Sequence, residues 1–190
     1  MRLHLNKPGI RALGVAESFR KGQKRSVLAG VVMRSDFIID GVAIGRTAVG
    51  GDDATSSIAR LFKMLRRNDI NVILVSGAIL SLYNIIDVDL VAEKTHLPVV
   101  CLTYKETAGI EGSIKRHFPV GAEKKLEAYS KLGKRLGVRL HTGHRVYVRT
   151  SGIEPDSAKP VLDLFTIQGS IPEPVRVAKL LARALLARRS

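Results

Sequence analysis

The chain has 190 residues, ample for one core and short for two, so a single domain over 1–190 is the economical reading. Apolar residues make up 45%, and no apolar run approaches the ~20 residues that a membrane helix requires, which excludes a helical membrane protein. Thirty-one Lys and Arg against seventeen Asp and Glu leave a net charge of +14, a positive potential for which DNA or RNA is the natural polyanionic partner. Met1 to Pro8 carry charge but no apolar core of signal-peptide type, and Cys101, the single cysteine, lies inside an apolar strand. Both features fit a cytoplasmic protein with a buried structural thiol and no intramolecular disulfide.

Taken in order, Ile10 to Val15 reads as a short apolar strand, and a basic loop from Arg20 to Arg25 leads to a second strand, Ser26 to Arg34. Ser35-Asp36 turns the chain into a third, Phe37 to Val49, so short a link implying antiparallel pairing. Residues 52 to 68 then have the spacing of an amphipathic helix: Ile58, Leu61, Phe62 and Leu65 form its apolar stripe, and Asp52, Asp53 and Thr55 stand where acids and hydroxyls cap unpaired N–H groups. Asn71 to Gly77 has four consecutive apolar residues ending in Ser76-Gly77, the pattern of a strand buried on both faces that delivers a loop at its carboxyl end. Open α/β sheets place their chemistry at such ends.

Ile79, Leu82, Tyr83 and Ile86 are at helical spacing, with Asn84 and Asp87 as polar exceptions, and Asp87 is placed to cap a short helix from Val88 to Thr95. A fifth strand runs from Pro98 to Tyr104, and Lys105 at its end is placed where a cation could meet a phosphate. Residues 107 to 137 read as charged helix, Val138 to Leu140 and Arg145 to Thr150 as a hairpin, and Pro155 to Phe165 and the segment from Pro172 onward as two helices.

Several stretches together carry a resemblance. Ile10-Arg11-Ala12-Leu13-Gly14-Val15-Ala16-Glu17-Ser18-Phe19, Leu28-Ala29-Gly30-Val31-Val32-Met33-Arg34, Asp40-Gly41-Val42, Asp52-Asp53-Ala54-Thr55, Ser76-Gly77 with Tyr83-Asn84-Ile85-Ile86-Asp87, and Ile171-Pro172-Glu173-Pro174-Val175-Arg176-Val177-Ala178 resemble, in order and over nearly the whole chain, the archaeal endonuclease dU family, a distant relative of endonuclease V. The resemblance implies a ribonuclease-H-like α/β fold: a mixed five-stranded sheet, three antiparallel strands first, helices on both faces, with a C-terminal hairpin and helix in addition. It also implies a metal-dependent endonuclease acting on deaminated or damaged nucleic acid. In active members of that superfamily, carboxylates near the ends of the first and central strands hold Mg²⁺ (or Mn²⁺), which orients water and stabilises charge at the scissile phosphodiester.

At the positions matching those two carboxylates this chain has Ala16 and Ser76. The resemblance therefore leaves Glu17, Asp40, Asp53 and Asp87 as candidate catalytic residues, Glu17, Asp52 and Asp53 as candidate metal ligands, and Ser76, Asn84 and Lys105 as candidate substrate contacts. Three readings stay open on sequence: a rearranged metal-dependent nuclease; a DNA- or RNA-binding relative that does not cut; and a cytoplasmic scaffold or small-molecule enzyme using a Ser76/Asn84 pocket. A homo-oligomer is compatible with each.

Overall fold

The computed structural model describes residues 9–106 and 109–188, so the expectation for Met1 to Pro8 and the start of the 107–137 segment lie outside the described residues. Three antiparallel strands come first: β1 (Arg11–Ser18), β2 (Arg25–Arg34) and β3 (Ile39–Ala48). Helix α1 (Ala54–Leu65) leads to β4 (Val72–Ser76), which lies parallel to β1, and α2 (Val88–Thr95) leads to β7 (Val99–Thr103), parallel to β4. Between β4 and α2 the chain makes a small ribbon, β5 (Ile79–Leu80) and β6 (Asn84–Ile85). After β7 come α3 (Glu111–His117), α4 (Ala122–Lys131), the hairpin β8 (Leu136–Arg139) and β9 (Arg145–Ser151), then α5 (Pro155–Leu164) and α6 (Glu173–Ala187).

The strand order is β3-β2-β1-β4-β7-β9-β8. The expected five-stranded core is present as its first five members. The hairpin is a continuation of the same sheet, because β9 pairs antiparallel with β7 from Val99↔Ser151 to Thr103↔Tyr147. The parallel strands β1, β4 and β7 are nearly uninterrupted runs of Val, Ile, Leu and Ala because both faces are covered.

Alternation along the strands divides the core. Leu13, Val15, Ile73, Val75, Val99 and Cys101 face α1 and α2, meeting Ile58, Leu61 and Val91. Ala12, Val72, Leu74, Val100 and Leu102 face the other way, toward Val161, Leu162 and Phe165 of α5 and its end. Beside them α6 lies across β1 and β2, where Ala16, Ala29 and Val31 meet Ala178 and Ala182. That contact is close enough to require glycine: a Cβ on Gly14 would stand 2.2 Å from the carbonyl carbon of Pro174. Burial pushes the Cys101 thiol up to about 12, as expected of an inert structural cysteine.

The helical spacing of residues 79 to 86 is misleading. Leu82 and Tyr83 adopt positive φ (46° and 63°), a left-handed pair that turns the chain back between β5 and β6. The charged 107–137 segment is helical only as α3 and α4, and its end at Leu136 and Gly137 already belongs to β8.

Candidate functional site

The carboxyl ends of β1 and β4 lie side by side, the register reaching Val15↔Val75. β1 continues to Ser18, so Glu17 takes the next odd position and projects to the α1 face with Leu13 and Val15, while Ala16 projects to the α6 face. On β4 the same alternation puts Ser76 with Leu74, away from α1. Ala16 and Ser76, the positions matching the superfamily carboxylates, thus share one face and Glu17 occupies the other.

Around Glu17 the α1 face is polar. Ser26 of β2 and Thr47 of β3 are register partners, both fully buried, and both continue the inward series of their strands. Glu17 Oε1 accepts from the Ser81 backbone N–H at 2.6 Å, whereas buried Oε2 has no hydrogen-bond partner among the described residues. The Ser81 side chain is 2% exposed and its Oγ is likewise without a partner. Burial raises the Glu17 pKa above the ordinary carboxylate range, against the opposing effect of the nearby Ser26 and Ser81 dipoles.

Asp53 precedes α1 but does not cap it. Its Oδ1 turns back to β3, accepting from Thr47 Oγ1 at 2.6 Å and the Ala48 N–H at 2.9 Å. Asn84, fully buried on β6, performs the capping: its Oδ1 accepts from the Ala54 N–H at 2.9 Å. The Asn84 amide nitrogen faces Thr47 Oγ1 at 3.0 Å, the Ala48 carbonyl at 2.8 Å and Asp53 Oδ1 at 2.8 Å. Burial alone would raise the Asp53 pKa. The bonds from Thr47, Ala48 and Asn84, with the Arg25 guanidinium, outweigh it and hold the carboxyl below its usual value. Among the described residues Asp53 Oδ2 keeps only long contacts, Ser57 Oγ at 3.4 Å and Arg25 at 4.0 Å.

The other sequence candidates lie in different surroundings. Asp52 is exposed and paired with Lys124 at 2.9 Å and Lys125 at 2.8 Å, the first of several effects lowering its pKa being the Lys125 bond. Lys125 is itself buried, its ammonium also reaching the Gly51 and Tyr83 carbonyls and standing 4.7 Å over the Phe118 ring. Asp87 caps α2 through the Leu90 N–H at 2.9 Å, as expected. Asp52 and Asp87 line one cavity of about 590 Å³ with Thr55, Lys125, Lys131 and Arg149. Lys105 is exposed just beyond β7. Ser76 is half-buried near Tyr104, whose hydroxyl lacks a hydrogen-bond partner among the described residues. Burial raises that phenol, with Ser76 and Arg176 opposing.

Asp40 is at the opposite end of the sheet, beside the start of β1. There it bridges Arg11 and Arg67, with Asp69 completing the ion cluster. The Arg11 bond is the foremost cause holding its pKa below the usual carboxylate value. The structure therefore brings Asp53 and Asn84 into direct contact, seats Glu17 on the same face, gathers Asp52 with Asp87 in the adjoining cavity, and leaves Asp40, Ser76 and Lys105 elsewhere. No group of three or more His, Cys, Asp or Glu side chains arranged to hold a metal occurs among the described residues. Sequence reasoning passed over Ser26, Thr47 and Ser81; for the first two the available signal was a polar residue where strand alternation demands an apolar one, while Ser81, in the turn after β5, gave none.

The family model for endonuclease dU matches residues 8–186. A UPF0215 protein from Pyrobaculum calidifontis is 36% identical over 182 residues, covering 94% of this chain and all of the relative. Among solved structures, a protein of unknown function from Archaeoglobus fulgidus superposes with a TM-score of 0.78 at 22% identity, covering 95% of this chain and 99% of that one. Ciona intestinalis endonuclease V, solved with a 24mer DNA containing an inosine followed by a ribo-adenosine, gives a TM-score of 0.62 at 14% identity, covering 96% of this chain and 87% of that one. The sheet and its helices are thus those of the endonuclease V type, with a ribonuclease-H-like core.

Proposed function

The chain belongs to the endonuclease dU family, and from that membership we propose that it is a metal-dependent endonuclease acting on deaminated or otherwise damaged nucleic acid, with Glu17 and Asp53 as its working carboxylates. The observation that carries the reading is Glu17: a half-buried carboxylate at the carboxyl end of the central strand pair, its pKa raised by desolvation, with one buried oxygen that accepts no hydrogen bond among the described residues. A folded protein rarely leaves such an atom unsatisfied without a use for it.

The donors suit a Mg²⁺ ion, which is commonly held by one or two carboxylates together with substrate phosphate and water. Glu17 Oε2 and Asp53 Oδ2 are the atoms that would hold it, and the ion would supply charge stabilisation at the phosphodiester and an activated water. The chain's own residues supply the rest. Thr47, Ala48 and Asn84 fix Asp53 Oδ1, so its second oxygen has one orientation. The Ser81 N–H does the same for Glu17. The +14 charge would draw the polyanion to the surface, where Arg25 at the start of β2 would meet phosphates and exposed Lys105 beyond β7 would do so away from the carboxylates.

One observation favours the second reading, a relative that binds DNA or RNA without cutting: the matching carboxylate positions are the neutral Ala16 and Ser76. Incubation of labelled deoxyuridine, deoxyinosine and undamaged oligonucleotides with Mg²⁺ or Mn²⁺ separates the two. The nuclease reading requires cutting that a chelator abolishes and Glu17→Gln removes, circular dichroism confirming that the variant folds. Salt-sensitive binding without cutting supports the silent relative.

A further inference from the structure

We propose that the β8–β9 hairpin is a platform for single-stranded nucleic acid, on which Tyr147 stacks a base while Arg139 and Arg145 hold phosphates. Such a surface rests on the nucleic-acid partner inferred above and needs no cleavage, so it serves a nuclease and a silent relative alike. The stretch that builds it is wholly basic: residues 128–153 contain six Lys or Arg and no Asp or Glu.

Strand alternation gives the hairpin two unlike faces. Val138, Leu140, Val146 and Val148 turn toward α5 and are buried there. Gly137, Arg139, Arg145, Tyr147 and Arg149 therefore turn the other way, and Gly137, Arg139 and Arg145 are exposed. This second face is the one that carries Glu17. The pairings Val15↔Val75, Val75↔Cys101 and Cys101↔Arg149 run straight across the sheet. Two residues further along the same face stand Glu17 on β1, Thr103 on β7, Tyr147 on β9 and Gly137 on β8, the last three paired in register. Tyr147 is thus level with Glu17 and three strand spacings away, about 14 Å. A stacked strand covers that distance with roughly four nucleotides. Arg149, on the same edge of β9, lines the cavity shared with Asp52 and Asp87 and so joins the hairpin to the candidate site.

Two features of this face do nothing for the hairpin itself. Arg139 and Arg145 are direct cross-strand partners, and like charges so placed repel. Neither has an ion pair or a hydrogen bond among the described residues. Phosphates bound across the pair would offset the repulsion. The second feature is the tyrosine. Its register partner is Gly137, where a Cβ would come within 3.8 Å of the ring, so the absence of a side chain leaves that side of the ring uncovered. The Tyr147 hydroxyl donates to Glu106 at 3.0 Å, and the Arg135 guanidinium stands 5.9 Å from the ring centroid, so the ring is held in place. An aromatic ring fixed among arginines is the combination that single strands use, bases stacking on the ring and the backbone following the cations. A duplex keeps its base faces stacked inside and can use only the cations.

The full chain is titrated into fluorescein-labelled, undamaged single strands of DNA and of RNA, with a chelator present, and anisotropy is read at two salt concentrations; the strand held more tightly identifies the sugar. Tyr147→Leu should weaken binding about 5- to 150-fold, the worth of one stacked base, without changing the salt dependence, and Tyr147→Phe, which loses the Glu106 bond and keeps the ring, should bind as the wild type does. Arg145→Glu should weaken binding and reduce the slope of log affinity against log salt by at least about 0.7, the share of one phosphate contact. The same variant should raise the midpoint of thermal unfolding, because attraction replaces repulsion opposite Arg139. Opposite signs in affinity and stability separate contact with the strand from a role in folding. Wild-type affinity in both Tyr147→Leu and Arg145→Glu would overturn the proposal and leave the nuclease reading standing, as would tighter binding of a duplex than of either of its strands. A wild type that binds no strand even at low salt would overturn both.

Discussion

Replacing Asn84 by alanine should destabilise the fold severely, although the residue belongs to a two-residue strand remote from the main sheet's ladder. Its side chain is fully buried and holds three elements together, β6, the end of β3 and the start of α1. Truncation strips the Ala54 N–H and the Ala48 carbonyl of these bonds and removes a donor facing Asp53 Oδ1. An orphaned buried polar group costs about 1–3 kcal/mol, so the Ala54 N–H together with the weakened Ala48 and Asp53 contacts sums to about 2–4 kcal/mol. That is a large part of the ~5–15 kcal/mol that stabilises a typical domain. Urea unfolding followed by circular dichroism measures it. Asn84→Asp sharpens the test: it retains an acceptor for Ala54 but sets a second carboxylate where the amide donor stood, 2.8 Å from Asp53 Oδ1. Its deficit should exceed that of the alanine variant at neutral pH and shrink in acid. A loss below about 1 kcal/mol for Asn84→Ala would refute the reasoning, since it would mean that water replaces the side chain at little cost.

Gly14→Ala places a Cβ against the Pro174 backbone and must push α6 off β1, so it should cost about 3 kcal/mol or more and lower the midpoint of thermal unfolding; an unchanged midpoint would show that the contact yields freely. Glu17 has a folded-state pKa raised by burial, so the native state holds its proton more tightly than the unfolded chain, and its contribution to stability falls as pH rises from the ordinary glutamate value of 4.5 through the raised one. Glu17→Gln removes that loss. As pH rises above 4.5 its unfolding free energy should gain on the wild type's, whereas a constant difference would contradict the assignment. Asp40→Asn breaks an ion cluster at the far end of the sheet, and its cleavage rate and nucleic-acid affinity should equal the wild type's; a loss comparable to that of Glu17→Gln would move the site.

What sequence could convey of the fold followed from periodicity. The continuous apolar runs of β1, β4 and β7, the stripe of Ile58, Leu61 and Leu65 on α1, and the cap Asp87 are local patterns, and each stands where that pattern put it. The segment from Ile79 to Ile86 had the wrong period for its structure because its turn is made by Leu82 and Tyr83, residue types that rarely adopt positive φ and so give no turn signal. The candidate site was legible as residue types and not as an arrangement. Whether Glu17 shares a face with Ala16 or opposes it depended on how far β1 continues, which the polar residues after Val15 leave open. The network of Ser26, Thr47, Asp53 and Asn84 ties Asn84 to positions 31 and 37 residues away and Ser26 to one 21 residues away through single hydrogen bonds, and such bonds leave no periodic trace. Asp40, an acid in a stretch that matches the family, could be separated from the others only by knowing that β3 runs antiparallel and carries it to the other end of the sheet.

The most direct measurement is metal-dependent cleavage of a labelled deoxyuridine oligonucleotide, with deoxyinosine and undamaged strands alongside, by the wild type, Glu17→Gln and Asp53→Asn under identical conditions. The account predicts cutting by the wild type of a damaged strand in preference to the undamaged one, its loss on chelation, and a fall of at least about 100-fold in either variant, as expected when a group that holds the ion is removed. Cutting that persists undiminished in folded Glu17→Gln would contradict it, and so would salt-dependent binding by the wild type with no cutting under either metal.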